Sequence, residues 1–113
     1  MHGRVDDIQK EIVAALTKIG AVVTDLSQAG SGVPDLLFSY RGDWHLMECI
    51  GAAKFKKYKK TGGLNPLQVD WHDKQRADVW VVRSVQEALG CFGISSSIDN
   101  PAPQRLTSPI PTA

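Results

Sequence analysis

The segment GVPDLLFSYRGDWHLMECIGAAK, residues 32–54, decides the fold. It contains two apolar runs, VPDLLFSY at 33–40 and WHLMECI at 44–50, with the turn RGD between them. Two such runs around a short turn that contains glycine are typical of a β-hairpin, because glycine adopts the positive φ that a tight turn needs. The segment therefore predicts two antiparallel strands that pair directly.

Two acids interrupt these apolar runs, at Asp35 and Glu48. With a two-residue loop at 41–42, Asp35 lies directly opposite Glu48, and their Cβ atoms are roughly 5 Å apart on one face of the hairpin. Two carboxylates this close repel each other unless a positive charge lies between them. The alternative interpretation makes Asp35 a turn residue after Pro34 and Glu48 a solvent-facing strand residue.

A divalent cation would explain the pair. Mg²⁺ takes oxygen ligands, and Asp35 and Glu48 would supply one oxygen each, with the backbone carbonyl of Cys49 as a third. A cation held in this way lowers the pKa of its bound water and neutralises charge that develops on a phosphate. The pattern therefore predicts a site for phosphate chemistry.

The rest of the chain supplies helices and two further strands. Apolar residues at steps of three and four predict the first helix. Asn65-Pro66 is a typical helix start, and SVQE at 84–87 is a capping box that opens another helix. The predicted elements are helix 5–19, strands 21–26, 33–40 and 44–50, a Gly- and Lys-rich loop 51–65, helix 66–77, strand 79–83 and a short helix from 84.

Length and composition favour one domain followed by a tail. A chain of 113 residues fits a single core, and a formal net charge of +1 indicates no class of partner. No apolar run approaches the roughly 20 residues of a membrane span, and no apolar signal core is visible. Two cysteines with no close spacing do not suggest a disulfide framework. We expect a cytoplasmic protein with a domain over 1–90 and a flexible Ser- and Pro-rich tail over 91–113.

These motifs resemble a nuclease family. The elements G-x-P-D (Gly32 to Asp35), a hairpin, E-x-x-G (Glu48 to Gly51) and a later helix with Gln68 look like the PD-(D/E)XK superfamily. The span 5–90 resembles its VRR-NUC branch, and the element order is similar to that of archaeal Holliday-junction resolvases. The resemblance implies a restriction-endonuclease-like αβββαβ core, an α/β fold of the α+β type with a mixed central sheet flanked by helices.

The resemblance also implies an activity. Relatives hydrolyse phosphodiester bonds in structured or branched DNA with Mg²⁺ or Mn²⁺, and the likeness suggests a homodimer and a bacterial or phage context. Asp35 and Glu48 fall on the metal-ligand positions, and Gln68 falls on the glutamine that supports the site. Gln9 falls where relatives place an acidic or amide residue that faces the metal.

One position departs from the family pattern. The motif is E-x-K, and Ile50 stands where the lysine is expected. Strand alternation turns residue 50 to the same face as Glu48, where a lysine would reach water or phosphate and isoleucine does not. Three explanations remain open: a migrated lysine, with Lys54 the first candidate and Lys56 the second; a nuclease fold that binds DNA without cutting it; or a substitution in this chain within an active lineage.

The run KFKKYKK at 54–60 predicts the DNA contact. It holds five of the 13 basic residues, and lysines that neutralise phosphates release counterions and give salt-dependent affinity. Phe55 and Tyr58 are suited to stacking on exposed bases. The alternative is a solvated loop without a ligand. The lysines are Lys54, Lys56, Lys57, Lys59 and Lys60.

Histidine and tryptophan complete the candidates. His72 lies four residues after Gln68, so both lie on one helix face and His72 can approach a substrate, although helix-surface histidines are more often structural. His45 alternates to the face opposite Glu48 and is placed outside the site. Trp44, Trp71 and Trp80 are expected to pack in the core or at an interface. Three function classes follow: a metal-dependent nuclease, a non-catalytic DNA-binding module, and an interaction protein, the last disfavoured by the lysine run.

Overall fold

The structure, a computed structural model, describes residues 4–94 and 105–106. Four α-helices and five strands follow one another along these residues. In chain order they are α1 (Arg4–Lys18), β1 (Val22–Asp25), β2 (Leu36–Tyr40), β3 (Asp43–Cys49), α2 (Ala52–Lys57), a 3-10 helix (Lys59–Thr61), α3 (Pro66–Lys74), β4 (Val79–Val82), α4 (Val85–Gly90) and β5 (Arg105–Leu106).

The strands form one mixed sheet in the order β1-β2-β3-β4-β5. Strands β3 and β4 pair in parallel, and the other neighbours pair antiparallel. A parallel pair needs a long crossover connection, which here contains α2 and α3. The predicted α+β class, with a mixed central sheet flanked by helices, is confirmed.

The hairpin has the predicted register. Leu37 pairs with Leu46 and Tyr40 with Asp43, which leaves a two-residue loop. Both loop residues have positive φ, 51° at Arg41 and 86° at Gly42. Two successive positive φ values define the turn whose twist matches that of paired strands. The turn therefore fixes which residues of the two strands share a face.

The main core lies on one face of the sheet. Residues that alternate along β2, β3 and β4 point to this face, and helices α1 and α4 cover it with their apolar sides. Full burial of these large side chains removes apolar surface from water. This burial is the main favourable contribution to the free energy of folding. The core includes Ile12, Leu16, Leu36, Phe38, Met47, Val82 and Ala88.

The opposite face is covered over the end of β3 by the segment between β3 and β4. Glycine is required at two positions for this close approach. A Cβ on Gly63, at φ 103°, would lie 2.3 Å from Cγ2 of Ile50. A Cβ on Gly32, at φ 83°, would lie 2.2 Å from the carbonyl oxygen of Leu67. Gly63 therefore lets the crossover lie close to Ile50 after the end of β3, and Gly32 lets the segment before β2 lie close to the start of α3.

The crossover differs from the predicted loop. Residues 51–65 contain α2 and the 3-10 helix, so the loop prediction is wrong over most of this range. The mixture of lysine and aromatic residues is compatible with a short helix that has one side turned to the protein. Phe55 is half-buried on that side, while Lys56 and Lys57 are exposed to solvent. The guanidinium carbon of Arg83 lies 4.5 Å from the centre of the Phe55 ring, which adds a cation–π contact.

The helix boundaries differ in detail. Helix α3 begins at the predicted Asn65-Pro66 start but ends at Lys74, three residues before the predicted end. At α4, the Ser84 hydroxyl accepts from the Glu87 amide as predicted. The Glu87 carboxylate, however, accepts from the amide of Arg83 instead of closing the box on Ser84.

The described part of the C-terminal region adds to the fold. Phe92 makes edge contacts with the rings of Phe38 and Trp80, each with centroids 5.8 Å apart. Residues 105–106 form β5 against β4, a strand that the composition did not predict. The rest of the predicted flexible tail lies outside the described residues. Among the described helices, none is long and apolar enough to cross a membrane.

Candidate functional site

The predicted acid pair lies where β2 begins and β3 ends. Leu36 pairs with Met47, and one further step of the same register brings Asp35 beside Glu48. Oδ2 of Asp35 accepts a hydrogen bond from the amide of Cys49 at 2.9 Å. Glu48 is 0% exposed. The structure therefore brings together two acids that the strand pattern alone predicts as neighbours.

Electrostatics at this pair are unfavourable to two negative charges. The pKa of Asp35 is raised from 3.8 to about 6, first by burial and then by the negative charge of Glu48. The Cys49 amide and the positive charge of Lys54 act in the opposite direction. When Asp35 ionises, it places a second negative charge in a half-buried position beside Glu48, so a cation between the two carboxylates would be favourable.

Helix α3 holds the carboxylate of Glu48 at both oxygens. Nε2 of Gln68 donates to Oε1 at 3.1 Å, and Nε2 of His72 lies 3.1 Å from Oε2. The two donors are four residues apart, so they project from the same face of the helix. The His72 side chain is 9% exposed, and its Nδ1 has no hydrogen-bond partner within the described part of the chain.

The start of α3 explains why Gln68 points at Glu48. The amide of Gln68 donates to Oδ1 of Asn65 at 2.9 Å, and Oε1 of Gln68 accepts from the Asn65 amide at 3.0 Å. This reciprocal capping fixes the amide oxygen of Gln68 at the helix end. Its nitrogen is then directed to the sheet. The Asn-Pro start and the Gln three residues later thus orient the side chain that contacts Glu48.

Lys54 also reaches this cluster. It lies in the first turn of α2, and its ammonium group donates to Oε1 of Gln68. Lys54 is half-buried, whereas Lys56, Lys57, Lys59 and Lys60 are exposed. Of the five lysines of the run, Lys54 is therefore the one that the fold directs to the acid pair.

Ile50 is placed in the core of the crossover. It is 1% exposed and lies beneath Gly63. Its amide donates to the carbonyl of Val82 at 2.8 Å. A trans peptide places the preceding carbonyl, that of Cys49, on the opposite side of the strand, toward Asp35. The backbone oxygen predicted as a metal ligand therefore faces the acid pair.

Gln9 occupies a neighbouring site. Its Nε2 donates to Oδ2 of Asp25 at 3.1 Å, and both residues line a groove of about 470 Å³ between α1 and β1. The pKa of Asp25 is lowered, chiefly by hydrogen bonds from the hydroxyl and amide of Ser27. Gln9 is thus held by Asp25 at the adjacent strand end and is not hydrogen-bonded to Asp35 or Glu48.

Three further side chains that are potentially reactive do not contribute to the site: His45 lies on the other face of the sheet, and the two cysteine thiols are unreactive. His45 stacks on Phe38 with centroids 5.3 Å apart, on the face opposite Glu48, as the alternation predicts. Cys49 and Cys91 are free thiols. Burial raises the pKa of both, that of Cys91 to about 12, so neither is a thiolate nucleophile at neutral pH.

The donor set suits a hard cation with few protein ligands. Among the described residues, no group of three or more His, Cys, Asp and Glu side chains is arranged to hold a metal. Two carboxylates and a backbone carbonyl match Mg²⁺, which keeps several waters and binds through one or two carboxylates. The residues present therefore fit Mg²⁺ or Mn²⁺ and do not fit a closed zinc site.

The structure places His72 in direct contact with Glu48, which the sequence pattern does not establish. The available signal was the spacing from Gln68, which puts both side chains on one face of α3, but spacing alone does not show that this face meets the sheet. Comparisons with protein-family models, with curated proteins and with solved structures give no match. The inferred function accordingly rests on this chain's own residues and on the motif resemblance described above.

Proposed function

We propose that the protein is a Mg²⁺- or Mn²⁺-dependent endonuclease that hydrolyses phosphodiester bonds in structured or branched DNA. The observation that carries the proposal is the pair formed by the fully buried Glu48 and the half-buried Asp35, with Gln68 and Lys54 fixed beside it. Two neighbouring acids shielded from water destabilise the fold, since each charge loses hydration and the two repel each other, and this cost favours a role that uses both charges.

The chain would hold the cation with Asp35, Glu48 and the Cys49 carbonyl. Such a cation supplies a water of lowered pKa and neutralises charge on the phosphate. Asp35 and Glu48 would bind and orient it, while Gln68 holds one oxygen of the Glu48 carboxylate, Oε1. The buried position of Glu48 keeps competing water from its carboxylate.

Lys54 replaces the lysine that the family pattern places at residue 50. Its ammonium group bonds to Gln68, which in turn bonds to Glu48, so it lies two hydrogen bonds from the metal-binding carboxylate. A positive group in a half-buried place stabilises charge on a reacting phosphate better than a fully solvated one. Ile50 is then free to serve as core.

Exposed lysines beside the site would bind the DNA backbone. Lys56, Lys57, Lys59 and Lys60 project from α2 and the 3-10 helix into solvent. The aromatic rings of the same segment are less available for base stacking because a cation lies over one face of each, Arg83 over Phe55 and Lys57 over Tyr58. The contact is therefore mainly electrostatic and independent of sequence.

The second candidate is a DNA-binding module that kept the nuclease fold without its activity. The burial of Ile50 favours it, because no lysine occupies the motif position. The intact acid pair and the placement of Lys54 favour the nuclease. A homodimer, suggested by the resemblance, belongs to both candidates, and light scattering of the full chain measures it.

Cleavage of a labelled four-way junction separates the two candidates. The wild-type chain and Asp35→Asn are incubated with the junction in Mg²⁺, in Mn²⁺ and in EDTA. Metal-dependent cuts that Asp35→Asn lacks support the nuclease. Salt-sensitive binding without cuts supports the module, and absence of binding at low salt excludes both.

A further inference from the structure

We propose that His72 is a positioning residue that sets the orientation of the Glu48 carboxylate for cation binding. The inference rests on the proposed function, because it concerns the same site. It adds a residue that the family pattern does not supply and assigns it a role through Glu48, not through contact with the reacting atoms.

Both oxygens of Glu48 are engaged from one side. Gln68 and His72 each place an Nε2 atom 3.1 Å from a different oxygen. A carboxylate has about four lone-pair sites, two on each oxygen. With one site on each oxygen taken from the α3 side, the remaining sites point away from the helix, toward the side on which Asp35 lies.

Because Glu48 is buried, the orientation of its carboxylate depends on both of these donors. Glu48 is 0% exposed, so water does not replace a donor that is removed. Without a donor at residue 72, Oε2 would lose its partner on α3, and the Gln68 bond to Oε1 would be the one remaining contact from α3 that orients the carboxylate. The orientation of a ligating carboxylate depends on such outer contacts, whose removal typically weakens metal binding about 10–100-fold.

Packing alone does not explain a histidine at this position. Nδ1 of His72 is buried and has no hydrogen-bond partner among the residues described. An apolar side chain of similar size would fill the space beside Trp71 without leaving a buried nitrogen unpaired. The feature that an apolar residue lacks is the Nε2 donor to Glu48.

The test compares two substitutions of similar size. Gln carries an N–H at a place close to Nε2 of histidine, and Leu carries none, so His72→Gln and His72→Leu differ chiefly in the donor. Titration calorimetry of the full chain with Mn²⁺ gives the affinity, and thermal melting reports folding separately. We expect His72→Leu to bind Mn²⁺ about 10–100-fold more weakly than wild type, and His72→Gln to recover most of the affinity.

Two results overturn the inference. One is a His72→Leu chain that binds Mn²⁺ as wild type does, and the other is a folded His72→Gln chain as weak as His72→Leu. If His72→Leu does not fold, imidazole ¹⁵N spectra of the wild-type chain test the role of His72 instead. Saturating Mg²⁺ must then shift the His72 signals and leave those of His45, on the opposite face, in place; unchanged His72 signals contradict the role.

Cleavage is measured in parallel so that the two proposals fail separately. Mn²⁺ affinity that depends on the His72 donor, in a chain that cuts no junction, contradicts the nuclease and supports the positioning role. Metal-dependent cutting by a chain whose Mn²⁺ affinity ignores His72 contradicts the positioning role alone.

Discussion

We predict that Asp35→Asn stabilises the metal-free protein at neutral pH and abolishes its proposed activity. The folded pKa of Asp35 is about 6 against 3.8 without the protein environment. A raised acid pKa means that the folded state binds the proton more tightly, so stability falls as the pH rises from 4 to above 6. The shift corresponds to a decrease of roughly 3 kcal/mol in the free energy of unfolding at full ionisation, at about 1.4 kcal/mol per pKa unit.

Asparagine has nearly the same shape and carries no charge, so it avoids this decrease. In urea denaturation at pH 8 with EDTA, we expect Asp35→Asn to unfold with a free energy up to roughly 3 kcal/mol above wild type. The difference should vanish near pH 4, where the wild-type carboxyl is protonated in the folded state. Adding Mg²⁺ should stabilise wild type and leave Asp35→Asn unchanged.

Asp73→Asn is the matched control, because Asp73 lies next to His72 on α3 but is exposed. It should change stability little at either pH. An Asp35→Asn chain no more stable than wild type at pH 8 without metal would show that burial and Glu48 do not disfavour the Asp35 charge, and the electrostatic reasoning would fail.

Three further perturbations test other parts of the site. Lys54→Ala should lower the rate of junction cleavage by about 10²–10⁴-fold. Lys56→Ala, which changes an exposed lysine of the same helix, should mainly weaken DNA binding. If both variants lowered the cleavage rate at saturating DNA equally, the assignment of Lys54 would be refuted. Neutralising all four exposed lysines of the run should flatten the salt dependence of junction binding, measured by fluorescence anisotropy, by roughly one unit of slope for each phosphate that the chain no longer neutralises; an unchanged slope would place the DNA elsewhere. Gly63→Ala should lower the melting temperature, because the new Cβ meets Ile50 and the φ of 103° strains an alanine; an unchanged melting temperature would show that the crossover adapts.

The hairpin was the most predictable part of the fold. Its register follows from a two-residue turn and strict strand alternation, both of which are local properties of the sequence. The pairing of the two acids followed from the same register. The start of α3 was predictable for a similar reason, since the Asn65 cap and the Pro66 that follows act within one turn.

The incorrect predictions concern segments whose secondary structure depends on contacts with residues far along the chain. The run at 54–60 has the lysine content of a solvated loop, but Phe55 is half-buried under Arg83 from the end of β4, and this contact accompanies a helix. The pairing of residues 105–106 with β4 likewise depends on a partner far along the chain. Propensity does not encode such contacts.

The site was predicted in part for the same reason. Asp35 and Glu48 come together through a local register, whereas Gln68 was expected at the site from the family resemblance, and its local cap explains the direction of its side chain. The approach of Lys54 and His72 depends on how α2 and α3 lie on the sheet, which Gly32 and Gly63 permit through close contacts. No spacing in the sequence specifies that placement.

Anomalous diffraction from a crystal of the full chain soaked in Mn²⁺ tests the central claim most directly. We predict a single strong peak between the carboxylates of Asp35 and Glu48, within ligand distance of the Cys49 carbonyl. A well-ordered site with both acids in place and no peak there, or a peak elsewhere on the chain, would contradict it.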